Sequence, residues 1–261
     1  MFDHFLTYRT EIPNGLGWEH YGPVHLTYLI GFALACVILA LVYRRGSKLR
    51  RRRIQITYAV IVVALEVVKQ ILCLVTGVYE PGLVPLHLCG MTIFIIVIHT
   101  ARANRWTAEI LYSLCLPGAI AALLFSDWNM YPIANFYCQQ SFFIHFFEFS
   151  YPVLLLASGE LRPRLTQIWR PALYLAIFTP PVYFFNKAFD TNFFFINTAA
   201  ANSPLSFLQN LMGNPGYLFG YVGLVLVVWL LLYLPWAISD QVKKRRGIRK
   251  REILDSTEMS T

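Results

Sequence analysis

The sequence predicts an all-α membrane protein of seven transmembrane helices, with the N-terminus outside and the C-terminus in the cytoplasm. Three observations predict it. The 261 residues are 57% apolar and only 14% charged, where a soluble domain carries about 25% charged residues. Apolar runs recur that approach the ~20 residues needed to cross a bilayer. The connecting stretches alternate between rich and poor in Lys and Arg, which fixes orientation by the positive-inside rule. The net charge of +8 lies mainly in the basic loops and tail, so the expected partner is the membrane, and a nucleic acid is not expected.

Residues 1–22 mix Phe2, Phe5, Trp18 and Tyr21 with charges. They read as an interfacial segment of the aromatic-belt kind. Asp3, Glu11 and Glu19 precede the first apolar run, and no basic n-region leads it, so a cleaved signal peptide is not expected. The first span is 23–43, opened by Pro23, which suits a first helical turn. Arg44 to Arg53 then holds seven Lys or Arg in ten residues, a cytoplasmic anchor.

The second span, 54–76, contains Glu66, Lys69 and Gln70. The third, 84–101, carries His87 and Cys89 and is followed by Arg102 and Arg105. The fourth, 107–125, holds Pro117-Gly118, which predicts a kink or break. The fifth, 139–157, holds His145 and Glu148. The sixth, 168–185, ends near Pro180-Pro181. A long outer loop follows, in which Ser203-Pro204 predicts a helix start and Gly213 its end. Leu205, Leu208, Leu211 and Met212 between them predict a short amphipathic helix, either a lid or an interfacial anchor. The seventh span is 217–238, and 239–261 is a basic cytoplasmic tail. The domain organisation expected is therefore an interfacial segment (1–22), one seven-helix domain (23–238) and the tail, in a multi-pass protein of the plasma membrane.

Polar side chains in a span cost roughly 1 to 3 kcal/mol or more and are usually kept for use. At a rise of about 1.5 Å per residue, His25 falls roughly 3 Å, His87 about 5 Å and His145 about 9 Å from the outer ends of their spans. Gln70 and Cys73 fall in the same zone, with Lys69 and Glu148 deeper. His87 and Cys89 on a regular helix would point about 200° apart, so the partner of either is expected from another helix, with His145 the natural candidate. A Glu66–Lys69–Glu148 network is expected to neutralise buried charge, and Ser141 and Glu148 share a helix face with His145. A neutral imidazole at this depth suits general acid–base work on an ester carbonyl. Cys89 could carry an acyl group as a thioester. The five cysteines have no CxxC spacing and give neither a disulfide framework nor a structural zinc signature. No GxSxG, HExxH or phosphate-loop pattern occurs.

Gly22-Pro-Val-His25-Leu, Val84-Pro-Leu-His87-Leu-Cys89, Phe143-Ile-His145 with Pro152, and Asn192-Phe-Phe-Phe195 together resemble the YwaF-like bacterial membrane proteins over about residues 2–236. That family is similar to an animal acyltransferase acting on ether phospholipids. The resemblance implies a seven-helix fold and acyl transfer on phospholipid or lysophospholipid assisted by Cys and His, with no cofactor. In the third span the animal protein has Cys directly before His, where this chain has Leu86, so Cys89 is not in the same place. His87, His145 and Cys89 are the expected catalytic residues, supported by Glu148, Lys69, Glu66, Gln70, His25 and Asn192. Two alternatives remain: a zinc-dependent lipid hydrolase with His25, His87 and His145 as metal ligands, and a non-enzymatic transporter or lipid-binding protein, for which the broken spans four and six would serve.

Overall fold

A computed structural model of the protein describes residues 3–258, with side chains as far as Val242. Among the described residues there is no strand. The long helices are α1 (Pro23–Arg45), α2 (Lys48–Val75), α3 (Leu88–Ala101), α4 (Arg105–Ile110) running on into α5 (Leu116–Leu124), α6 (Phe136–Ser158), α7 (Trp169–Phe189) and α9 (Tyr217–Glu258); α8 (Pro204–Met212) lies in the loop before α9. Among the described residues, α1, α2, α4–α5, α6 and α9 are long and apolar enough to cross a membrane. Their outward side chains are bare hydrocarbon: Leu34 is 60% exposed, Ile38 61% and Val222 62%. Apolar surface on that scale is not held in water by a monomer. The chain is a membrane protein.

Helix α6 is the axis of the bundle and packs against α1, α2, α3 and α5. Its Phe142, Phe146, Tyr151, Leu154 and Leu155 are buried, and so are His145 and Glu148. Asn135 caps it by accepting from the Tyr137 and Cys138 N–H groups, and Gly159 ends it in the left-handed conformation, the usual C-terminal device.

Several boundaries differ from the sequence expectation. Helix α2 begins at Lys48 instead of Ile54, because the Ser47 hydroxyl accepts from the Arg50 N–H and Lys and Arg are good helix formers. The basic stretch is therefore largely helical, and Arg51 reaches Glu160 at 3.1 Å. Helix α7 runs through Pro180 and Pro181 to Phe189, and α9 continues to Glu258 beyond the expected end at 238. The basic tail is helical to that point, and its side chains from residue 243 lie outside the described residues. The expected α8 is present, with the Ser203 hydroxyl accepting from the Leu205 N–H at 3.2 Å. Leu208 and Met212 pack on Gly220 of α9, while Phe207 and Leu211 face outward, 67% and 71% exposed. One face of α8 is thus packed on α9 and the other is exposed apolar surface.

The N-terminal segment is a strap folded over one end of the bundle. Asn135 Nδ2 donates to the His4 and Thr7 carbonyls, the Trp18 N–H donates to the Asn129 carbonyl, and Arg9 pairs with Glu80 at 2.7 Å. Tyr8 donates to the same carboxylate at 3.0 Å. Burial raises the Tyr8 phenol pKa, and the bond to Glu80 raises it further, so the hydroxyl stays protonated. Trp18, expected in an interfacial belt, turns inward onto His25 and Phe142.

The expected break at Pro117 takes a specific form. Proline lacks an N–H, so the carbonyl four residues earlier loses its helical partner. Leu111–Cys115 widens to a π-helical stretch, and the freed Ser113 carbonyl accepts from Trp229 Nε1 of α9 at 3.0 Å. Replacing Trp229 by Phe keeps most of the ring but leaves that carbonyl orphaned. The expected cost is about 1–3 kcal/mol, read as a lower thermal midpoint in detergent. Leu230→Ala, on the lipid-facing side, serves as the comparison, and equal midpoints for the two variants would remove the role given to the indole.

Candidate functional site

The site forms where α2, α3 and α6 approach the strap end. Pro85 biases Val84 to extended backbone, so α3 begins at Leu88, with His87 as its extended N-cap (φ −62°, ψ 155°). The expected span from Val84, and the 200° separation of His87 from Cys89 that followed from it, do not hold. Gly90 permits the geometry: a Cβ there would lie 2.8 Å from the Pro85 backbone. The His87 imidazole packs edge-on against Phe193 at 4.9 Å and beside Phe195 at 5.1 Å. It makes no hydrogen bond to the described residues.

His145 is held from two sides. Its Nδ1 lies 2.7 Å from the Ser141 carbonyl, which can only accept, so Nδ1 carries the proton and Nε2 carries the lone pair. Trp128 stacks on the ring at 5.0 Å with an interplanar angle of 9°. The Ser141 contribution is its backbone carbonyl, not the side chain that shared-face spacing pointed to.

Around the two imidazoles lie the expected charged groups. Lys69 Nζ meets Glu66 Oε2 at 2.8 Å. Gln70 Nε2 donates to Glu66 Oε1 at 2.6 Å and to the Leu83 carbonyl at 2.7 Å, which anchors the loop leading to His87. Glu148 is fully buried, and neither of its oxygens has a hydrogen-bond partner. It lies in the electrostatic field of Glu66 and Lys69 without direct contact, so the expected network is complete on its α2 side only. Cys89 is half-buried. It lies within electrostatic range of Glu148, Lys69 and Asp127. His87 is in range of His145, Asp127 and Lys69. Sequence reasoning missed Asp127 and Trp128. The available signal was an acidic residue beside a Trp in a loop without Lys or Arg.

Two expected members play other parts. His25 accepts from the Tyr21 N–H at Nδ1 (3.0 Å) and donates from Nε2 to the Leu123 carbonyl (2.8 Å). Both nitrogens are occupied, so His25 pins the strap to the bundle and has no lone pair for a substrate or metal. It supports the site indirectly, through Phe142, which packs on Trp128. Asn192 Oδ1 accepts from the Asn197 and Thr198 N–H groups, holding the turn that carries Phe193–Phe195. In that turn Phe194 and Phe195 take φ of +59° and +54°, a left-handed strain of order 1–3 kcal/mol each. Asn186 clamps it from below, accepting from the Phe193 N–H and donating to its carbonyl, each at 2.9 Å. This aromatic turn, not α8, covers His87.

With His25 engaged, the three-histidine zinc set is not assembled, and among the described residues no three His, Cys, Asp or Glu side chains are placed to hold a metal ion. What the arrangement offers is an imidazole with an orientated lone pair, a second imidazole free of hydrogen bonds, a thiol and an ammonium, enclosed together.

Helical bundle and enclosed ionisable cluster define a membrane protein with a polar site built inside it. The chain belongs to the TMEM164 family, which it matches over residues 20–233, a range that contains every residue of the cluster. No curated protein and no solved structure matches it.

Gly90→Ala should push the Pro85–His87 turn off its seat. The expected loss is about 1–3 kcal/mol of stability, seen as a lower thermal midpoint, whereas Gly31→Ala, which meets nothing within 4 Å, should not lower it. A Gly90→Ala protein as stable as the wild type would refute the close approach.

Proposed function

We propose that the protein is an intramembrane enzyme that moves acyl chains between phospholipids and lysophospholipids. The observation that carries this reading is the orientation of His145: Nδ1–H is fixed on the Ser141 carbonyl, so Nε2 keeps its lone pair, within electrostatic range of His87. In the proposed reaction, Nε2 takes the proton of the acceptor lysophospholipid hydroxyl as that oxygen bonds to the donor's ester carbonyl carbon. The imidazolium returns the proton to the departing glycerol oxygen as the old ester bond breaks. His87 or the Lys69 ammonium steadies the carbonyl oxygen while it carries negative charge. A two-stage version passes the acyl chain through Cys89: the thiol gives its proton to His145 as sulfur bonds to the donor's carbonyl carbon, and the imidazolium passes that proton to the glycerol oxygen as the ester bond breaks; His145 then takes the acceptor hydroxyl's proton as that oxygen attacks the thioester, and returns it to the departing Cys89 sulfur.

The same reading takes the membrane arrangement to be seven spans, with α3 and α7 adding to the five long apolar helices. The N-terminus lies outside, the arginine-rich loops lie in the cytoplasm, and the protein resides in the plasma membrane. The alternation of basic loops supports the orientation, and the site then sits at the level of the outer-leaflet esters. A cysteine introduced by Asn202→Cys should react with a membrane-impermeant maleimide on intact cells, and one introduced by Arg164→Cys should not. The reverse pattern inverts the topology.

Purified protein in phospholipid nanodiscs, given labelled phospholipid and lysophospholipid, should transfer label. His145→Ala and His87→Ala should each lower the rate by about 100-fold or more. Unchanged lipid, with labelled lipid still bound, would make the protein a lipid-binding or transport protein instead. An acyl adduct on Cys89 in trapped protein supports the two-stage route, and full activity in Cys89→Ala eliminates it.

A further inference from the structure

The end of the bundle carrying the arginine-rich loops holds a second polar site, separate from the His87–His145 cluster. Arg170 is the second residue of α7. Its guanidinium lies over the Trp106 ring at 5.2 Å and the Trp169 ring at 5.3 Å, and the two indoles meet edge to face at 4.9 Å. Nε and Nη1 are sealed from solvent and have no hydrogen-bond partner. Among the described residues no carboxylate pairs with Arg170. Glu109, which lies in the field of both Arg105 and Arg170, is engaged by the Tyr233 hydroxyl at 2.7 Å. Two cations therefore face one carboxylate that is already hydrogen-bonded.

A guanidinium with two sealed, unused donors is costly to keep, and cation–π contact with two indoles offsets only part of that. Its third nitrogen, Nη2, is not sealed, and an anion reaching that nitrogen from outside would neutralise the charge. The position says which anion. Trp106 and Trp169 are 40% and 47% exposed, and the face of α7 that starts at Trp169 continues through Leu173 (41%) and Ile177 (56%) at steps of four residues. An open apolar track thus runs from the guanidinium along the helix. The α7 N-terminus, whose N-cap Ile168 offers no side-chain cap, adds its positive end to the same place.

We propose that Arg170, with Arg105 and the first turn of α7, binds the phosphate of an anionic phospholipid whose acyl chain lies along Trp169, Leu173 and Ile177. The phosphate meets the guanidinium at Nη2, the nitrogen that is not sealed, and the indoles hold the guanidinium plane in place. Arginine suits this task because its guanidinium stays charged and its flat face stacks on the indoles while Nη2 remains open.

The test uses the full chain in phosphatidylcholine vesicles doped with phosphatidylglycerol, extracted gently and weighed by native mass spectrometry. Wild type should retain phosphatidylglycerol over phosphatidylcholine, and Arg170→Gln should reduce that enrichment by about tenfold, an equivalent of ~1.4 kcal/mol. Arg162→Gln, whose guanidinium pairs with Asp240, should keep it. Thermal midpoints establish that both variants are folded; if Arg170→Gln is not, Arg170→Lys, which keeps the charge and loses the flat guanidinium held between the indoles, should show a partial loss. Equal enrichment in wild type and Arg170→Gln overturns the proposal. So does equal loss in Arg162→Gln, which would mean diffuse charge attraction. Full displacement of the lipid by inorganic phosphate would make this a free-anion site and overturns it as well.

Discussion

Hydrocarbon cannot solvate a polar group, so a membrane protein keeps ionisable side chains only where its own chain surrounds them. In this protein that requirement falls on α6. It contributes His145 and Glu148, and α1, α2, α3 and α5 pack around it. The enclosure explains why one helix can carry an imidazole and a carboxyl within a single turn while α1 and α9 turn bare leucine and valine outward. It also fits the aromatic stack built on His145: Trp128 lies on the imidazole, Phe142 packs on Trp128, and Trp18 packs on Phe142.

The cluster is closed by segments that are not themselves membrane-like. The strap places Tyr8, Arg9 and Trp18 over one side. The Phe193–Phe195 turn places two rings against His87 under backbone strain, held by Asn186 below and Asn192 above. A strained cover that must be clamped from both sides is less stable locally than the helices it rests on.

Much of this was legible in the amino-acid order. The apolar runs marked where helices form, Ser203-Pro204 and Gly213 bounded α8, and Pro117 marked the irregular turn of α4–α5. His87, Cys89, His145, Lys69 and Glu148 stood out as polar residues in apolar surroundings, and they do lie together. What was not legible depended on backbone groups distant in sequence. His25 looked like a site residue because its polar partners do not show in the side-chain pattern; they are the backbone N–H of Tyr21 and the carbonyl of Leu123, the latter 98 residues away. Asp127 and Trp128 come from a loop, where periodicity has nothing to report. The start of α3 turned on one proline, Pro85, and on a glycine, Gly90, whose missing side chain matters only once the turn is formed.

The bond from Trp229 to the Ser113 carbonyl bears on how the chain is made. The fourth helix along the chain leaves the ribosome with one backbone acceptor unprovided for, and the group that satisfies it is 116 residues further on. Until the last helix arrives, that carbonyl has no partner from its own helix. The bundle is therefore not finished span by span in the order of synthesis. Its middle is completed by its end, and a chain cut short before Trp229 would hold its first helices with the irregular turn still open.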